Sequence, residues 1–267
     1  MVLEGGGLMV SQATITAMII SMSLSVLIPV ILIIIFKRKY KISIKVVLFG
    51  VLTFILFVGI LEGAFNGFLL NSAATAPFFE SAWVLVPYGA LMAGVFEEVG
   101  RYIMMRFALK KHRGWHDGLA FGIGHGGIES ILILGFSNLT MIIYANQINA
   151  GTFDQLMTND TLKEALMPIK EQLTATSPLM AALGPIERVC AIALHISLSI
   201  LVMYAIKSGK MKYLIYAIAF HALFDVPAAL YQTGILPNIF IVEAIIVLFA
   251  IIAVVYIVRS RKMWKSS

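Results

Sequence analysis

Leu85-Val-Pro-Tyr-Gly-Ala-Leu-Met-Ala-Gly-Val-Phe-Glu97-Glu98-Val-Gly-Arg101-Tyr-Ile-Met-Met-Arg106-Phe-Ala-Leu109 decides the fold class. About 20 apolar residues cross a hydrocarbon core as a helix, and this run is long enough. Two adjacent carboxylates and a guanidinium, Glu97, Glu98 and Arg101, stand inside it. Ionisable groups within a span are costly and point to function by default. The next apolar run repeats the theme in Phe121-Gly-Ile-Gly-His125-Gly-Gly-Ile-Glu129.

The whole chain agrees with this reading. It has 267 residues, 60% hydrophobic and 13% charged, whereas a soluble domain is about 45–50% apolar and about 25% charged. The mean hydropathy is +0.93. The apolar runs are long and continuous rather than alternating in roughly ten-residue segments, so the expected form is an all-α polytopic membrane protein and not a barrel. The formal charge of +6 does not indicate a nucleic-acid partner, because the Lys and Arg residues lie in short loops between apolar runs. Cys190 is the single cysteine, which excludes an internal disulfide and a cysteine-based zinc site. The segment Met1 to Gly7 holds Glu4 and no basic residue, so the first apolar run is expected to be retained as a span.

Seven spans are expected in one transmembrane domain over 1–267, at about 8–36, 44–70, 83–109, 118–145, 178–206, 213–231 and 236–258. Pro29 is a possible kink in the first. The polar segment 146–177 mixes Leu, Met and Ile with Asp, Lys and Glu, which suits an amphipathic helix lying on the membrane or over a site. Basic residues follow the first span (Lys37, Arg38, Lys39, Lys41, Lys45), the third (Arg106, Lys110, Lys111, Arg113) and the fifth (Lys207, Lys210, Lys212). They also end the chain (Arg259, Arg261, Lys262, Lys265). With seven spans all four sets fall on one side, which places the N-terminus outside and the C-terminus in the cytoplasm.

Counting at 1.5 Å per residue from the basic ends, Glu97 and Glu98 lie roughly 16–18 Å deep in span three. His125 lies about 12 Å and Glu129 about 18 Å into span four. His195 is about 18 Å from the end of span five, and His221 about 12 Å into span six. Spans three to six therefore bring polar groups to one depth, as a shared buried site requires. The pairs Glu97/Arg101, His125/Glu129, His195/Ser199 and His221/Asp225 are spaced i, i+4, so each pair shares a helix face.

Glu97-Glu98-x-x-Arg101 suits acid–base chemistry. Burial and mutual repulsion oppose two adjacent ionised carboxylates, so one can hold a proton, take it from water and return it to a leaving amine. The alternatives are a structural ion pair or a proton path. Three histidines at similar depth, each with a polar partner one turn away, could bind zinc or stabilise an oxyanion. His112 and His116 fall in a basic loop and read as solvated. Gly122 to Gly127 fits G-x-G-x-x-G but follows no strand. Gly118, Gly122 and Gly126, four residues apart, instead predict close approach of a neighbouring helix that presses His125 against its partners. Glu187-Arg188 reads as a self-paired charge, and Glu62 and Glu243 as span carboxylates with no partner visible in the sequence. There is no His-Glu-x-x-His and no Gly-x-Ser-x-Gly or Gly-x-Gly-Asp, so zincin-like, serine and aspartyl routes to intramembrane cleavage lack their motifs.

The order Glu-Glu-x-x-Arg, Phe-x-x-x-His, His-x-x-x-Ser and His-x-x-x-Asp on successive helices resembles the CAAX-protease and bacteriocin-processing (CPBP) superfamily of intramembrane proteases. Its YhfC-type branch of bacterial membrane peptidases matches best. The resemblance covers spans three to six. It implies an intramembrane endopeptidase of the glutamate type that cuts a membrane protein or peptide. Its catalytic residues would be Glu97, Glu98, His125, His195, His221 and Asp225, supported by Arg101, Glu129 and Ser199. No cofactor is favoured; if zinc is present, His125, His195 and His221 are the expected ligands. Two departures, two residues between Glu98 and Arg101 instead of three and Asp225 in place of Asn, argue against prenylated CAAX substrates. An aspartate donates a hydrogen bond only when protonated. The competing expectations are a catalytically inactive scaffold or immunity-type protein of the same fold, a zinc-dependent intramembrane metalloprotease, and a proton-coupled transporter. The expected location is the bacterial cell membrane.

Overall fold

The computed structural model describes residues 9–264. The predicted span start at Leu8, Glu4 and Lys265 lie outside them. Seven helices are long and apolar enough to cross a membrane: α1 (Gln12–Tyr40), α2 (Ile44–Asn71), α4 (Ala82–Ala108), α5 (Trp115–Asn149), α7 (Pro178–Ser208), α8 (Lys212–Gln232) and α9. The last runs as Ile239–Ser260 and continues as a 3-10 turn, Arg261–Trp264. Two shorter helices are α3 (Ala76–Phe79) and α6 (Asp160–Ala175). No strand occurs among the described residues, and the chain is an all-α polytopic membrane protein. Large apolar side chains such as Leu48, Phe68, Phe107, Phe136, Ile215 and Val258 are exposed, as suits surfaces that face lipid.

Helix ends differ from the hydropathy reading in ways that hydrogen bonding explains. α1 runs on to Tyr40 because Lys37, Arg38 and Lys39 suit a helix C-terminus, where cations meet the dipole. α5 begins earlier than expected, at Trp115, with Asp117 accepting from the Gly114 N–H at 2.9 Å. This places His116, expected in the loop, in the first turn, and lets His112 Nδ1 meet Asp117 at 3.1 Å. α7 and α8 end where Gly209 and Gly234 take the left-handed conformation, at φ +69° and +75°. Pro29 does not break α1. Gly127 lies against its ring, and a Cβ at Gly127 would come 2.9 Å from the Pro29 Cβ.

The chain divides into two compact units. The first comprises residues up to Ile28 and Ser130–Arg188. Its core holds Val10, Ile15, Met18, Ala145, Ile148, Phe153 and Leu173. Asn149 ties its end of α5 to the chain before α1, accepting from the Val10 N–H at 2.8 Å and donating to the Val10 carbonyl at 2.9 Å. The amphipathic segment is α6, capped by Asn159, whose side chain accepts from the Leu162 N–H at 2.9 Å. Its apolar stripe, Leu166, Ile169 and Leu173, packs on this core. That part of the stripe is used within the unit, while Leu162 of the same helix stays exposed. Arg188 pairs with Glu187, as the sequence reading expected.

The second unit comprises Pro29–Glu129 and the residues from Val189 on. Within it, α7 is buried almost continuously from Cys190 to Ile206. α5 packs on that rod through its glycines. A Cβ at Gly122 would overlap the Ile196 Cα, one at Gly118 would come 2.9 Å from the Ile200 Cα, and one at Gly126 3.1 Å from the His195 Cβ. Gly124 faces the Val47 carbonyl of α2 as closely, and Gly94 of α4 lies under the Ile218 carbonyl of α8, where a Cβ would approach to 2.8 Å. Small residues at the contacts let backbones approach, as in membrane helix pairs generally. Every residue from Asp117 to Gly127 is consequently buried. α2 takes the wider π-helical winding over Phe54–Glu62, and its Phe57 ring fills the space that Gly100 of α4 leaves.

Candidate functional site

The polar groups predicted to share one depth do meet, all within the second unit. α4 supplies Glu97, Glu98 and Arg101, α5 supplies His125 and Glu129, α7 supplies His195, and α8 supplies His221 and Asp225. Glu97 is central. Its Oε2 lies 2.8 Å from His125 Nε2, 3.7 Å from His195 Nδ1 and 3.6 Å from an Arg101 nitrogen. Its Oε1 lies 3.8 Å from His221 Nε2. Glu98 Oε1 is 2.8 Å from His221 Nδ1 and 3.2 Å from Arg101. The spacing explains this: residues i+3 and i+4 from the paired acids both fall at Arg101. The imidazoles form a row, with ring centroids 5.0 Å apart from His125 to His195 and 5.3 Å from His195 to His221. Glu98, Arg101 and His125 are 0% exposed; the Asp225 side chain, at 30%, is where the cluster reaches the surface.

Donor rules fix one proton. Arg101 can only donate, and its terminal nitrogen lies 3.1 Å from His195 Nδ1. Nδ1 must therefore accept, which puts the His195 proton on Nε2, where Glu129 takes it. A carboxylate behind a histidine is how metal-binding histidines are oriented, and Nδ1 would exchange the Arg101 donor for an ion on binding one. His221 differs: its Nδ1 shares a proton with Glu98 Oε1 at 2.8 Å, and Asp225 lies 3.5 Å from its Nε2.

Glu97, His125 and His195 each offer a donor atom, all within 4.8 Å of one another and all buried. Tetrahedral ligands of a zinc-sized ion lie about 3.3 Å apart, given Zn–N of about 2.0–2.1 Å, and the Glu97 distances of 2.8 and 3.7 Å bracket that value. Two histidines and a carboxylate form a donor set used by catalytic zinc sites. Charge points the same way. Within this cluster Arg101 pairs with Glu97 and Glu98, while Glu129 and Asp225 face the imidazoles of His195 and His221. Buried charge is costly without compensation, and a divalent cation would lower the cost of gathering these carboxylates. The residues fit a metal.

Most of the residues read from the sequence come together, with three differences. His221, expected as a zinc ligand with His125 and His195, turns to Glu98 and Asp225, and Glu97 takes its place in the donor group. Ser199 shares a helix face with His195, but its buried Oγ makes no hydrogen bond. Glu62, read as a carboxylate with no visible partner, accepts from Asn66 at 3.3 Å, and Tyr88 donates to that Asn66 at 2.6 Å. Glu62 lies within electrostatic reach of His221 and Asp225, and its Oε2 is buried without a hydrogen-bond partner. The signal was present: Glu62-x-x-x-Asn66 has the spacing of the other pairs. The π-helical stretch that ends at Glu62, a feature common at functional sites, was not readable from hydropathy.

The family described as "YhfC intramembrane metalloprotease" matches residues 24–246. A Bacillus subtilis (strain 168) protein bearing the name "Uncharacterized membrane protein YhfC" is 47% identical over 259 residues, covering 96% of this chain and 100% of that protein. No solved structure matches. The chain belongs to the YhfC intramembrane metalloprotease family and is an integral membrane protein.

Proposed function

We propose that the protein is a metal-dependent intramembrane endopeptidase that cuts a membrane protein or peptide. The observation that carries this reading is the convergence of buried Glu97, His125 and His195, with Glu129 behind His195. These three residues would hold the metal, zinc by the chemistry of the donor set, and the ion would supply Lewis-acid polarisation of the scissile carbonyl and of a water molecule. Glu98 is the general base and acid. Its Oε2 is buried and has no hydrogen-bond partner, while Oε1 is held by Arg101 and His221. As the water oxygen bonds to the carbonyl carbon, Oε2 takes the water proton; as the C–N bond breaks, Oε2 returns it to the amine nitrogen. His221, held at Nδ1 by Glu98, offers its Nε2–H to the developing oxyanion in place of the loose 3.5 Å contact with Asp225. A purely glutamate-type mechanism is the less supported form, because Glu97 lies among the donor atoms and the family description names a metalloprotease.

The flanking basic residues support an N-outside, C-cytoplasmic orientation in a bacterial cell membrane, so cleavage falls toward the cytoplasmic side. The order of the four motifs supports kinship with the wider CPBP superfamily. The test is metal content and cleavage of a panel of transmembrane peptides by the purified protein. Wild type is expected to carry about one zinc per chain. Glu97→Gln and His125→Ala should lose the metal, and Glu98→Gln should keep it without cleaving. Equal metal content in wild type and the first two variants would overturn the assignment.

A second reading, a non-catalytic scaffold, is favoured by Arg101, which already presents a cation to Glu97, Glu98 and His195. It predicts that these substitutions lower stability while no peptide is cut by any form of the protein.

A further inference from the structure

The positive-inside rule accounts for where the basic residues lie along the chain. It does not account for the cavity that some of them line. This cavity, of about 360 Å³, lies where α1 ends, α5 begins and α9 gives way to its 3-10 turn, all within the second unit. Its walls include Lys39, Tyr40, Lys41, Trp115, Arg261 and Trp264. Tyr40 and Trp115 meet edge to face with centroids 5.5 Å apart. The Arg261 guanidinium lies 5.9 Å from the Tyr40 ring and 5.7 Å from the Trp115 ring, and Lys39 Nζ lies 5.3 Å from Tyr40.

The hydrogen bonds decide what is left for a ligand. Trp115 Nε1 is spent on Ser260 Oγ at 2.9 Å, and Trp264 Nε1 on the Arg113 carbonyl at 2.9 Å. The indoles are therefore apolar walls here, fixed in orientation. Lys39, Lys41 and Arg261 make no ion pair with a carboxylate among the described residues. Their charges face a common space without a counter-ion. Arg261 lies against both rings by cation–π contact, which leaves its planar fork of N–H donors for an oxyanion. A compact anion with several acceptor oxygens, a phosphate, is the chemistry that three such cations take.

We infer that this cavity is a phosphate-binding site for the headgroup of an anionic phospholipid. A lipid is favoured over free phosphate for two reasons. The cavity sits at the ends of membrane-spanning helices, where basic pockets receive headgroups. Its Trp and Tyr rings are also the residues that settle at the level of lipid headgroups. The inference goes beyond the proposed protease activity and does not depend on it.

Native mass spectrometry of the full-length protein, offered equal amounts of phosphatidylglycerol and phosphatidylcholine in detergent, tests it. Wild type is expected to retain phosphatidylglycerol preferentially. The Lys39→Gln, Lys41→Gln double variant changes two exposed side chains and should lose about tenfold in phosphatidylglycerol retention. A control, Lys110→Gln with Lys111→Gln in the exposed loop outside the cavity, should retain the lipid as wild type does. Inorganic phosphate at millimolar concentration should displace the lipid from wild type. Three results would overturn the proposal: equal retention of both lipids by wild type, an equal loss in the control and the cavity variants, or inorganic phosphate binding lipid-free protein more tightly than phosphatidylglycerol.

Discussion

The core around Phe153 and the cluster around Glu97 are both largely buried, and different forces hold them. In the first, apolar side chains touch one another, and polar groups such as Asn149 work at the margin on backbone partners. In the second, carboxylates, imidazoles and a guanidinium satisfy each other directly. The apolar core depends on volume, and its contacts are not directional. The charged cluster depends on each partner being present, because a buried charge that loses its partner keeps its desolvation cost. Such a cluster is a poor way to gain stability, which is why its retention argues for chemistry.

The comparison can be broken at several points. The largest expected effect is on cleavage: Glu98→Gln should slow peptide hydrolysis about 10²- to 10⁴-fold, in a steady-state assay on a substrate that wild type cuts. Loss of the fold in that variant, followed by circular dichroism, would move Glu98 into the structural class. Next, Arg101→Met should cost about 3–5 kcal/mol in thermal or denaturant unfolding, since it leaves Glu97 and Glu98 uncompensated. A smaller loss would show that the acids find protons or a metal instead. Third, dialysis against a strong chelator should lower the wild-type Tm by about 5–10 °C and leave the Tm of His125→Ala unchanged. The smallest effect belongs to the apolar core, where Met18→Leu nearly conserves volume and should cost less than about 1.5 kcal/mol. If that swap matched Arg101→Met in cost, the distinction between the two cores would fail.

Much of this was legible in the sequence because hydropathy and spacing are local signals. Seven spans follow from runs of apolar residues, and Glu97, His125, His195 and His221 follow from ionisable groups at matching depth. The glycines at 118, 122 and 126 read correctly as a seam, since absence of a side chain is itself visible. What spacing does not give is rotation of one helix against the next. It placed His221 near the other imidazoles but could not show that His221 turns toward Glu98 and Asp225, leaving Glu97 in the donor group. Nor did it show the π-helical winding that ends at Glu62. α6 had the right periodicity, but only packing shows that part of its apolar stripe is already used.

The seam along α5 carries one more consequence. Gly122 is wedged against α7 and Gly124 against α2, with no room for even a methyl group on either side. A rod packed on both flanks at the level of its main chain has little room to tilt, so under the proposed activity the guest is expected to deform more than the scaffold around His125. A polypeptide entering as a regular helix hides its own amide bonds, and it must locally unwind before one can be presented. Under the proposed peptidase activity, a target already weakened by glycine or proline near the bond is the one expected to be cut fastest.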